Sequence, residues 1–318
     1  MESEPTSPLP TLPQGAPPKS DSVSLGYLYA AAGAALFSTK AILIKLAYAE
    51  SIGTETLLAL RMGLALPFYL AIGALSLRDR SKRKSAWPPT KLIVQSAVIG
   101  ALGYWLASYA DFLGLQYITA QFERLILFTY PLFVVLFGAM FFGQSVRAHM
   151  LLAFALSYAG LALIFTENFS LQGEDAVIGS ACVLAAAIAF ALYQLLAREV
   201  IAKMGPRLFT CIAMLGASIA AFLQFFLVED ASAILVGPTL LYYGLLIAVF
   251  ATVLPSFFLS EALHRISAQA SGIIGTLSPL VTILLAAAIL REPVTWIGMA
   301  GTLLVLGSVG WFTLSKKP

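Results

Sequence analysis

The chain has 318 residues, of which 59% are hydrophobic and only 11% are charged, and its mean hydropathy is +0.88. A soluble domain usually carries about 25% charged residues, so this composition excludes an ordinary soluble protein and indicates a chain solvated by lipid. The net charge of +3 is small, and its placement along the chain is more informative than its size.

The first 22 residues differ in composition from everything that follows. They are rich in proline and serine and contain no apolar run. Such a segment cannot bury enough apolar surface to offset the entropy lost on ordering. We therefore expect residues 1–22 to form a disordered cytoplasmic tail.

Ten apolar runs follow, each close to the roughly 20 residues that a membrane-crossing helix needs. Backbone groups in lipid must be paired within the segment, so each run is predicted to be helical. The fold class is an all-α polytopic membrane protein. The predicted spans 1 to 10 are residues 25–46, 55–77, 92–115, 120–142, 147–166, 177–197, 207–228, 240–263, 268–290 and 294–314.

The loop charges predict the orientation of these spans, because cytoplasmic loops are enriched in lysine and arginine. The even-numbered loops and the C-terminal tail are basic: Arg78, Arg80, Lys82, Arg83, Lys84, Lys91, Arg147, Lys203, Arg207, Arg265, Lys316 and Lys317. The odd-numbered loops are acidic: Glu50, Glu55, Glu167, Glu174, Asp175, Glu229 and Asp230. We predict a multi-pass inner-membrane protein with both termini in the cytoplasm. Topology also accounts for the basic run 78–84, so no nucleic-acid partner is expected.

The second half of the chain repeats the first. A shift of 148 residues places Pro131 on Pro279, and a shift of 153 places Gly26 on Gly179. The matched motifs at the shift of 148 are Ile118-Thr119-Ala120-Gln121 with Ile266-Ser267-Ala268-Gln269, and Gly143-Gln144-Ser145-Val146 with Arg291-Glu292-Pro293-Val294. The predicted repeats are residues 23–170 and 171–318. Five spans per repeat is an odd number, so the repeats are inverted in the membrane. Inverted repeats build many secondary transporters, which bind substrate between the halves; a duplication that only enlarged a stable bundle is the alternative.

With these motifs the chain resembles the EamA-type members of the drug/metabolite transporter superfamily over residues 24–315. The resemblance implies that spans 1–4 and 6–9 surround a central cavity, with spans 5 and 10 at the periphery. It also implies transport of amino acids, nucleotide-related metabolites or drugs, often with the proton as coupling ion. Gln144 departs from the family, which usually has an acidic residue there, as Glu292 still shows; we interpret this turn as structural.

Five ionisable residues form the charged layer, about 6–10 Å below the predicted outer surface at about 1.5 Å per residue. Charges inside spans are costly and are candidate sites by default. The charged layer consists of Lys40, Arg61, Asp111, Glu123 and Arg124, and the repeat partners noted for four of them are neutral: Tyr193, Leu259, Ser271 and Gly272. The alternatives are cations that extend to the interface and a static network that holds the helices together. Three cations against two carboxylates leave a positive charge that could attract a substrate carboxylate or phosphate.

Uncharged candidates complete the predicted substrate site. They are the aromatic residues Tyr104, Trp105, Tyr130 and Tyr193 and the mid-span polar residues Gln194 and Thr276. Most aromatics in a membrane bundle only face the core or the lipid interface.

Glu261 is a candidate coupling residue, or the partner of Arg265 in a local ion pair. Pro131 and Pro279 are candidate hinges, or shared kinks that shape the bundle.

The leading interpretation is a secondary active transporter that moves small metabolites by alternating access, with export of amino acids or related compounds favoured. A carrier of drugs or nucleotide-type metabolites is the alternative. An intramembrane enzyme is disfavoured because His149 and His264 lie in opposite halves and neither Cys182 nor Cys211 has a base nearby. A channel is disfavoured by the inverted repeat. The sequence indicates no metal and no cofactor.

Overall fold

The computed structural model describes residues 20–82, 87–142, 148–266, 274 and 277–315, and within these ranges every regular element is a helix. Residues 1–19 of the predicted tail lie outside the described part, and so do residues 143–147 and 267–273. The α-helices are α1 (Ser20–Tyr48), α2 (Thr54–Lys82), α3 (Thr90–Gly100), α4 (Ala107–Tyr117), α5 (Ala120–Leu127), α6 (Tyr130–Phe142), α7 (Ala148–Gln172), α8 (Glu174–Met204), α9 (Pro206–Val228), α10 (Pro238–Ala248), α11 (Leu254–Arg265), α12 (Leu277–Leu285) and α13 (Trp296–Ser315).

Three π-helical turns extend or join these helices. Ala101–Leu106 joins α3 to α4, Val249–Val253 joins α10 to α11, and Ala286–Leu290 extends α12. Among the described residues, eight helical stretches are long and apolar enough to cross a membrane, and two apolar stretches, Ser278–Leu290 and Trp296–Trp311, are shorter. The all-α polytopic architecture is thereby confirmed, while the count of ten spans stays a prediction.

The loop predicted between spans 5 and 6 is almost entirely helical. The apolar runs end at residue 166 and resume at 177, but α7 continues to Gln172 and α8 begins at Glu174. Gly173 alone turns the chain, with φ +61°, a conformation that glycine adopts without steric cost. Glu174 and Asp175 lie in the first turn of α8, where negative charge is stabilised by the helix dipole. The lengths of the apolar runs therefore underestimated the lengths of α7 and α8. Gly205, with φ +89°, likewise separates α8 from α9.

Each main helix-to-helix contact between the two halves has an equivalent in which the corresponding helices of the two halves change places. α1 packs against α11 as α8 packs against α4, and α1 packs against α12 as α8 packs against α6. α2 packs against α9, and α7 packs against α13; each of these pairs is its own equivalent. The two halves thus interlock along their length rather than meeting at one face, which is the arrangement expected of a two-repeat fold.

Local geometry repeats as well. Ile118 and Ile266, 148 positions apart, both end a helix in extended conformation, with φ −122° and −126°. A Cβ atom on Gly179 would lie 2.6 Å from Cγ2 of Ile118, and one on Gly26 would lie 2.7 Å from Cγ2 of Ile266. Both shifts read from the sequence therefore superpose equivalent contacts, and each glycine permits a close approach that a side chain would block.

The equivalent turns lie at opposite ends of the bundle. Ile266 contacts Gly26 near the start of α1, whereas Tyr48 at the end of α1 donates a hydrogen bond to the carbonyl of Phe112 in α4 (2.8 Å), less than two helical turns before Ile118. At about 1.5 Å per residue, the stretch of α1 between residues 26 and 48 spans about 33 Å. The two halves are therefore inverted relative to each other.

The largest apolar cluster lies where α1, α2, α4, α9 and α10 meet, and it includes Ile44, Leu57, Met62, Phe112 and Met214. Large apolar side chains also cover the outside of the helices, among them Leu223, Leu227 and Leu284. This distribution suits a bundle whose exterior faces hydrocarbon. The buried cluster joins α1, α2 and α4, the helices that carry Lys40, Arg61 and Asp111.

Candidate functional site

All five residues of the charged layer are buried. Lys40 of α1 and Asp111 of α4 form an ion pair with 2.5 Å between Nζ and Oδ2, and their exposed fractions are 9% and 1%. Lys40 therefore does not extend to the interface. The pair joins two helices through a charge-assisted hydrogen bond, one of the stronger contacts available in a protein interior.

Glu123 and Arg124 reach the interior because α5 starts at an abrupt turn. Ile118 is extended, and the Thr119 hydroxyl accepts a hydrogen bond from the backbone N–H of Phe122 (3.2 Å), which caps the new helix. The first turns of α5 then lie against α1 and α4. Arg124 donates to the carbonyl oxygen of Phe37 in α1 (2.7 Å), and its Nε lies 4.0 Å from Oε2 of Glu123.

The carboxyl groups of Asp111 and Glu123 lie beside each other. Glu123 is completely buried. No N–H or O–H group of the described residues donates a hydrogen bond to either carboxyl oxygen of Glu123 or to Oδ1 of Asp111. Two groups that ordinarily only accept hydrogen bonds are thus placed together in a site without water-facing surface.

Arg61 of α2 is held differently from the other cations. It donates from Nη2 to the backbone carbonyl of Tyr104 (3.1 Å), and its guanidinium lies over the ring of Phe112, 4.9 Å from the centroid. In the part of the chain that the structure describes, no carboxylate forms an ion pair with Arg61, and its Nε has no partner. Its closest contacts among the described residues are a carbonyl dipole and an aromatic face, both of which favour a cation.

The carbonyl that Arg61 contacts belongs to a π-helical turn, and its repeat equivalent is used in the same way. Tyr104 lies in the turn Ala101–Leu106, and Thr252, 148 positions later, lies in Val249–Val253. The carbonyl of Thr252 accepts a long hydrogen bond from the hydroxyl of Tyr69, also on α2 (3.4 Å). π-Helical turns occur frequently at functional sites because they disturb the regular bonding of the helix. α2 thus contacts the π-helical turn at 101–106 through Arg61 and the equivalent turn at 249–253 through Tyr69.

Tyr104 and Tyr193 meet beside Arg61. Their hydroxyl groups are 3.1 Å apart and their rings are in edge contact at 5.1 Å. Tyr69 lies close to the same group, and its hydroxyl bonds Ser256 of α11 at 3.0 Å. These aromatic side chains therefore form a polar-tipped cluster around the guanidinium, with contributions from both halves.

The remaining uncharged candidates lie near this cluster but not at its centre. Tyr130 lies close to Gln194, and its ring contacts Phe190 with 5.0 Å between centroids. Trp105 donates from Nε1 to Oε1 of Gln224 on α9 (2.6 Å). Thr276 lies outside the described residues.

Glu261 lies far from the charged layer, at the predicted inner end of the bundle. It pairs with Arg265 at 2.6 Å, the local pair that helical spacing suggested, and also with Arg207 of α9, which the sequence did not indicate. A cavity of about 380 Å³ opens beside it, lined by Ile72, Leu75, Ser76, Asp79, Arg207, Phe257 and Glu261.

The two candidate prolines both lie near the start of a helix. Pro131 is the second residue of α6, directly after the turn at Phe128 and Thr129 that interrupts the span. Pro279 lies in the first turn of α12, and residues 275–276 before that helix are outside the described part. The break before Pro131 supports the kink, since proline cannot complete the backbone bonding of a continuous helix.

Glu292 was interpreted from the sequence as part of a structural turn, but it contacts the start of α5. Its carboxylate accepts hydrogen bonds from the backbone N–H groups of Ala120 (2.7 Å) and Gln121 (3.2 Å). An anion at a helix N-terminus satisfies free N–H groups and is favoured by the helix dipole. The contact joins the second half to the helix that carries Glu123.

Known proteins share this arrangement. The EamA-like transporter family matches residues 24–166 and 177–314. The chain is 27% identical over 290 residues to the uncharacterized transporter YcbK of Bacillus subtilis (strain 168), covering 87% of this chain and 88% of that protein. It is 26% identical over 233 residues to the uncharacterized transporter YetK of the same organism, covering 71% and 68%. A solved crystal structure with 16% sequence identity has the same fold, with a TM-score of 0.61 over 93% of this chain and 98% of that one. The motif resemblance is thus confirmed, and the chain belongs to the EamA-like transporter family of membrane transporters.

Proposed function

We propose that this protein is a secondary active transporter that moves small metabolites across the inner membrane by alternating access, with both termini in the cytoplasm. The observation that carries the proposal is the charged layer: five buried charges lie between the helices of an inverted two-half bundle. The charged layer contacts substrate or controls its outer exit.

The cost of these charges supports a functional role. A charged side chain deep in a membrane protein is expensive even when it is paired, and apolar residues of similar volume often stabilise as well as a buried ion pair does. A bundle that served only as scaffold would gain little from five charges in one layer. The static network stays the competing account, and the charge exchange described below separates the two.

Amino acids or related compounds are the favoured substrates. Lys40 is paired with Asp111 at 2.5 Å, and Arg124 lies near Glu123, whereas Arg61 has no carboxylate partner among the described residues. The uncompensated cation suits a substrate that carries a carboxylate. The hydroxyl groups of the neighbouring tyrosines could accept or donate further hydrogen bonds. A phosphate of a nucleotide-type metabolite would satisfy the same cation, and a drug-like cation would not.

The two ends of the bundle support a state closed on the outer side. At the predicted outer end, Glu292 binds the start of α5, and Thr295 donates to Glu167 (2.8 Å), so that both halves are joined above the charged layer. At the predicted inner end, a cavity of about 380 Å³ is lined by residues of α2, α9 and α11. An inverted repeat provides the opposite state when the two halves exchange roles.

The decisive experiment measures transport by the purified protein in liposomes. We expect saturable uptake of a radiolabelled mixture of the standard amino acids, with counterflow when the liposomes are preloaded with the unlabelled mixture. Protein-free liposomes are the control. Uptake that does not saturate and shows no counterflow would indicate a channel and would contradict the proposal.

A second arm tests the charged layer itself. The double variant Lys40→Asp with Asp111→Lys restores an ion pair in reverse, so we expect its melting temperature to exceed that of Lys40→Ala while its uptake stays lost. Uptake recovered together with stability would assign the pair to structure alone. A wild-type-like rate in Lys40→Ala would exclude the pair from transport altogether.

A further inference from the structure

We propose that Glu123 carries a proton that it shares with Asp111, and that this carboxyl pair is the site where a proton binds and leaves during the transport cycle. The first part depends only on the geometry of the pair. The second part rests on the proposed function, and the two experiments below are chosen so that each part can fail separately.

The first step in the argument is the absence of other donors. The oxygens of Glu123 are fully buried and receive no hydrogen bond from any N–H or O–H group in the described ranges. Oδ1 of Asp111 is in the same situation. The nearest cation, Arg124, is 4.0 Å away through Nε and gives its short hydrogen bond to the carbonyl of Phe37 instead.

The second step is that the two carboxyl groups lie beside each other, with three of their four oxygens buried and without a donor. An ionised carboxylate only accepts hydrogen bonds, while a protonated one also donates. Two ionised carboxylates in contact would repel, and a buried anion without hydrogen bonds is strongly disfavoured. One proton resolves both difficulties: Glu123 donates to Asp111, and the pair retains a single negative charge that Lys40 balances at 2.5 Å.

The charged groups around Glu123 assign the proton to it rather than to Asp111. α1 contributes Lys40 and Lys45, α4 contributes Asp111, and α5 itself contributes Arg124. None of the charged groups that act on Glu123 comes from α7, α8 or α12, the other described helices packed against α5. Lys40 donates directly to Asp111, so Asp111 keeps the charge and Glu123 keeps the proton.

Release of the proton needs water, and the structure indicates where water would enter. α5 is held at its start by Glu292. When that contact opens, the O–H bond of Glu123 breaks, its proton passes to a water molecule from the outer side, and Glu123 becomes a carboxylate. Arg124, next to Glu123 on α5, is then placed to pair with it. Rebinding reverses the step, so that one proton is taken up for each one released.

The substrate-independent test is infrared spectroscopy of the purified protein in lipid nanodiscs at neutral pH. We expect the wild type to show the carbonyl stretch of a protonated carboxyl group in an apolar environment, and Glu123→Gln to lack it. Glutamine has the shape of a protonated glutamate and can still donate to Asp111, so this variant should fold. The matched control is Glu55→Gln: Glu55 is half-buried and already accepts from the hydroxyl of Tyr109 (2.9 Å), so its replacement should leave the band in place.

A wild type without this band, or a band that persists in Glu123→Gln, would overturn the shared proton. The transport arm then tests the coupling. We expect a pH gradient across the liposome to change amino-acid uptake by the wild type and not the residual uptake by Glu123→Gln. If a pH gradient still changes uptake by Glu123→Gln, Glu123 is not the site of proton coupling, whatever the infrared result. Wild-type liposomes that transport no amino acid would instead count against the proposed function.

Discussion

The two halves of the molecule share their backbone and differ in their chemistry. The extended break after α4 recurs after α11, the π-helical turn at 101–106 recurs at 249–253, and the glycine contact at Gly26 recurs at Gly179. The charged layer does not recur. The two halves share the positions where helices bend and touch, because these positions determine how the halves fit together. Their buried side chains differ.

Lys40 illustrates the divergence. Its equivalent in the second half is Tyr193, which is also buried but bonds the hydroxyl of Tyr104 instead of a carboxylate. Asp111 corresponds to Leu259. One half therefore supplies the ionisable groups, and the other supplies aromatic and apolar surface to the same interior. A site of this kind requires both halves even though only one of them carries charge.

The largest expected effect tests whether the equivalent loops lie on opposite sides of the membrane. We expect Ser232→Cys, between α9 and α10, to react with an impermeant thiol reagent in intact cells. Ser81→Cys, near the end of α2, should react only after permeabilisation. Both positions are exposed, and both variants are made in a background without Cys182 and Cys211. Labelling at 81 and not at 232 in intact cells would reverse the predicted orientation, and equal labelling would remove the inversion.

The next largest effect is the loss of stability that we expect when the buried carboxylate of Asp111 loses its partner Lys40. Lys40→Ala leaves Asp111 without its cation in a buried site, so we expect a loss of about 3–5 kcal/mol of stability. Tyr193→Phe, at the equivalent position, removes one hydrogen bond and should cost about 0.5–1.5 kcal/mol. Thermal unfolding in one detergent measures both. Equal losses would mean that the two positions are energetically alike and would remove the asymmetry described above.

A smaller and symmetric effect is expected at the glycines that the halves share. An added Cβ would approach Ile266 at 2.7 Å in Gly26→Ala and Ile118 at 2.6 Å in Gly179→Ala. Overpacking of this kind costs about 1–3 kcal/mol, and the two losses should agree. Gly307→Ala is the control because nothing lies within 4 Å of its added Cβ, and alanine favours a helix by up to about 1 kcal/mol over glycine. A loss at only one of the paired glycines would show that the repeat is not equivalent there.

The sequence predicted what depends on composition and spacing along the chain. Apolar length identified the helices, and two constant shifts identified the repeat and aligned Gly26 with Gly179, whose equivalent contacts the structure then showed. A static network within the charged layer was one of the alternatives, because opposite charges at similar depth attract, and Lys40 and Asp111 do form an ion pair. These features are read from each segment by itself or from its place in a regular pattern.

What the sequence did not predict depends on contacts between distant segments or on single backbone angles. Glu292 and Ala120 are 172 positions apart, and nothing near either residue indicates the other. The contact of Tyr69 with Ser256 is of the same kind. Gly173 turns the chain between two helices by one backbone angle, which a search for long apolar runs does not detect. The placement of Glu123 beside Asp111 required the turn before α5, which changes the direction of the chain.

The line of contact between α3 and α9 has a mechanical consequence. A Cβ atom on Gly100 would lie 2.1 Å from the carbonyl oxygen of Ala213, and one on Gly216 would lie 2.3 Å from that of Ala97. The two main chains touch each other here, with no flexible side chain between them that could rotate to allow sliding. We expect rotation of one half against the other to use this line as its pivot. Movement should then grow with distance from it.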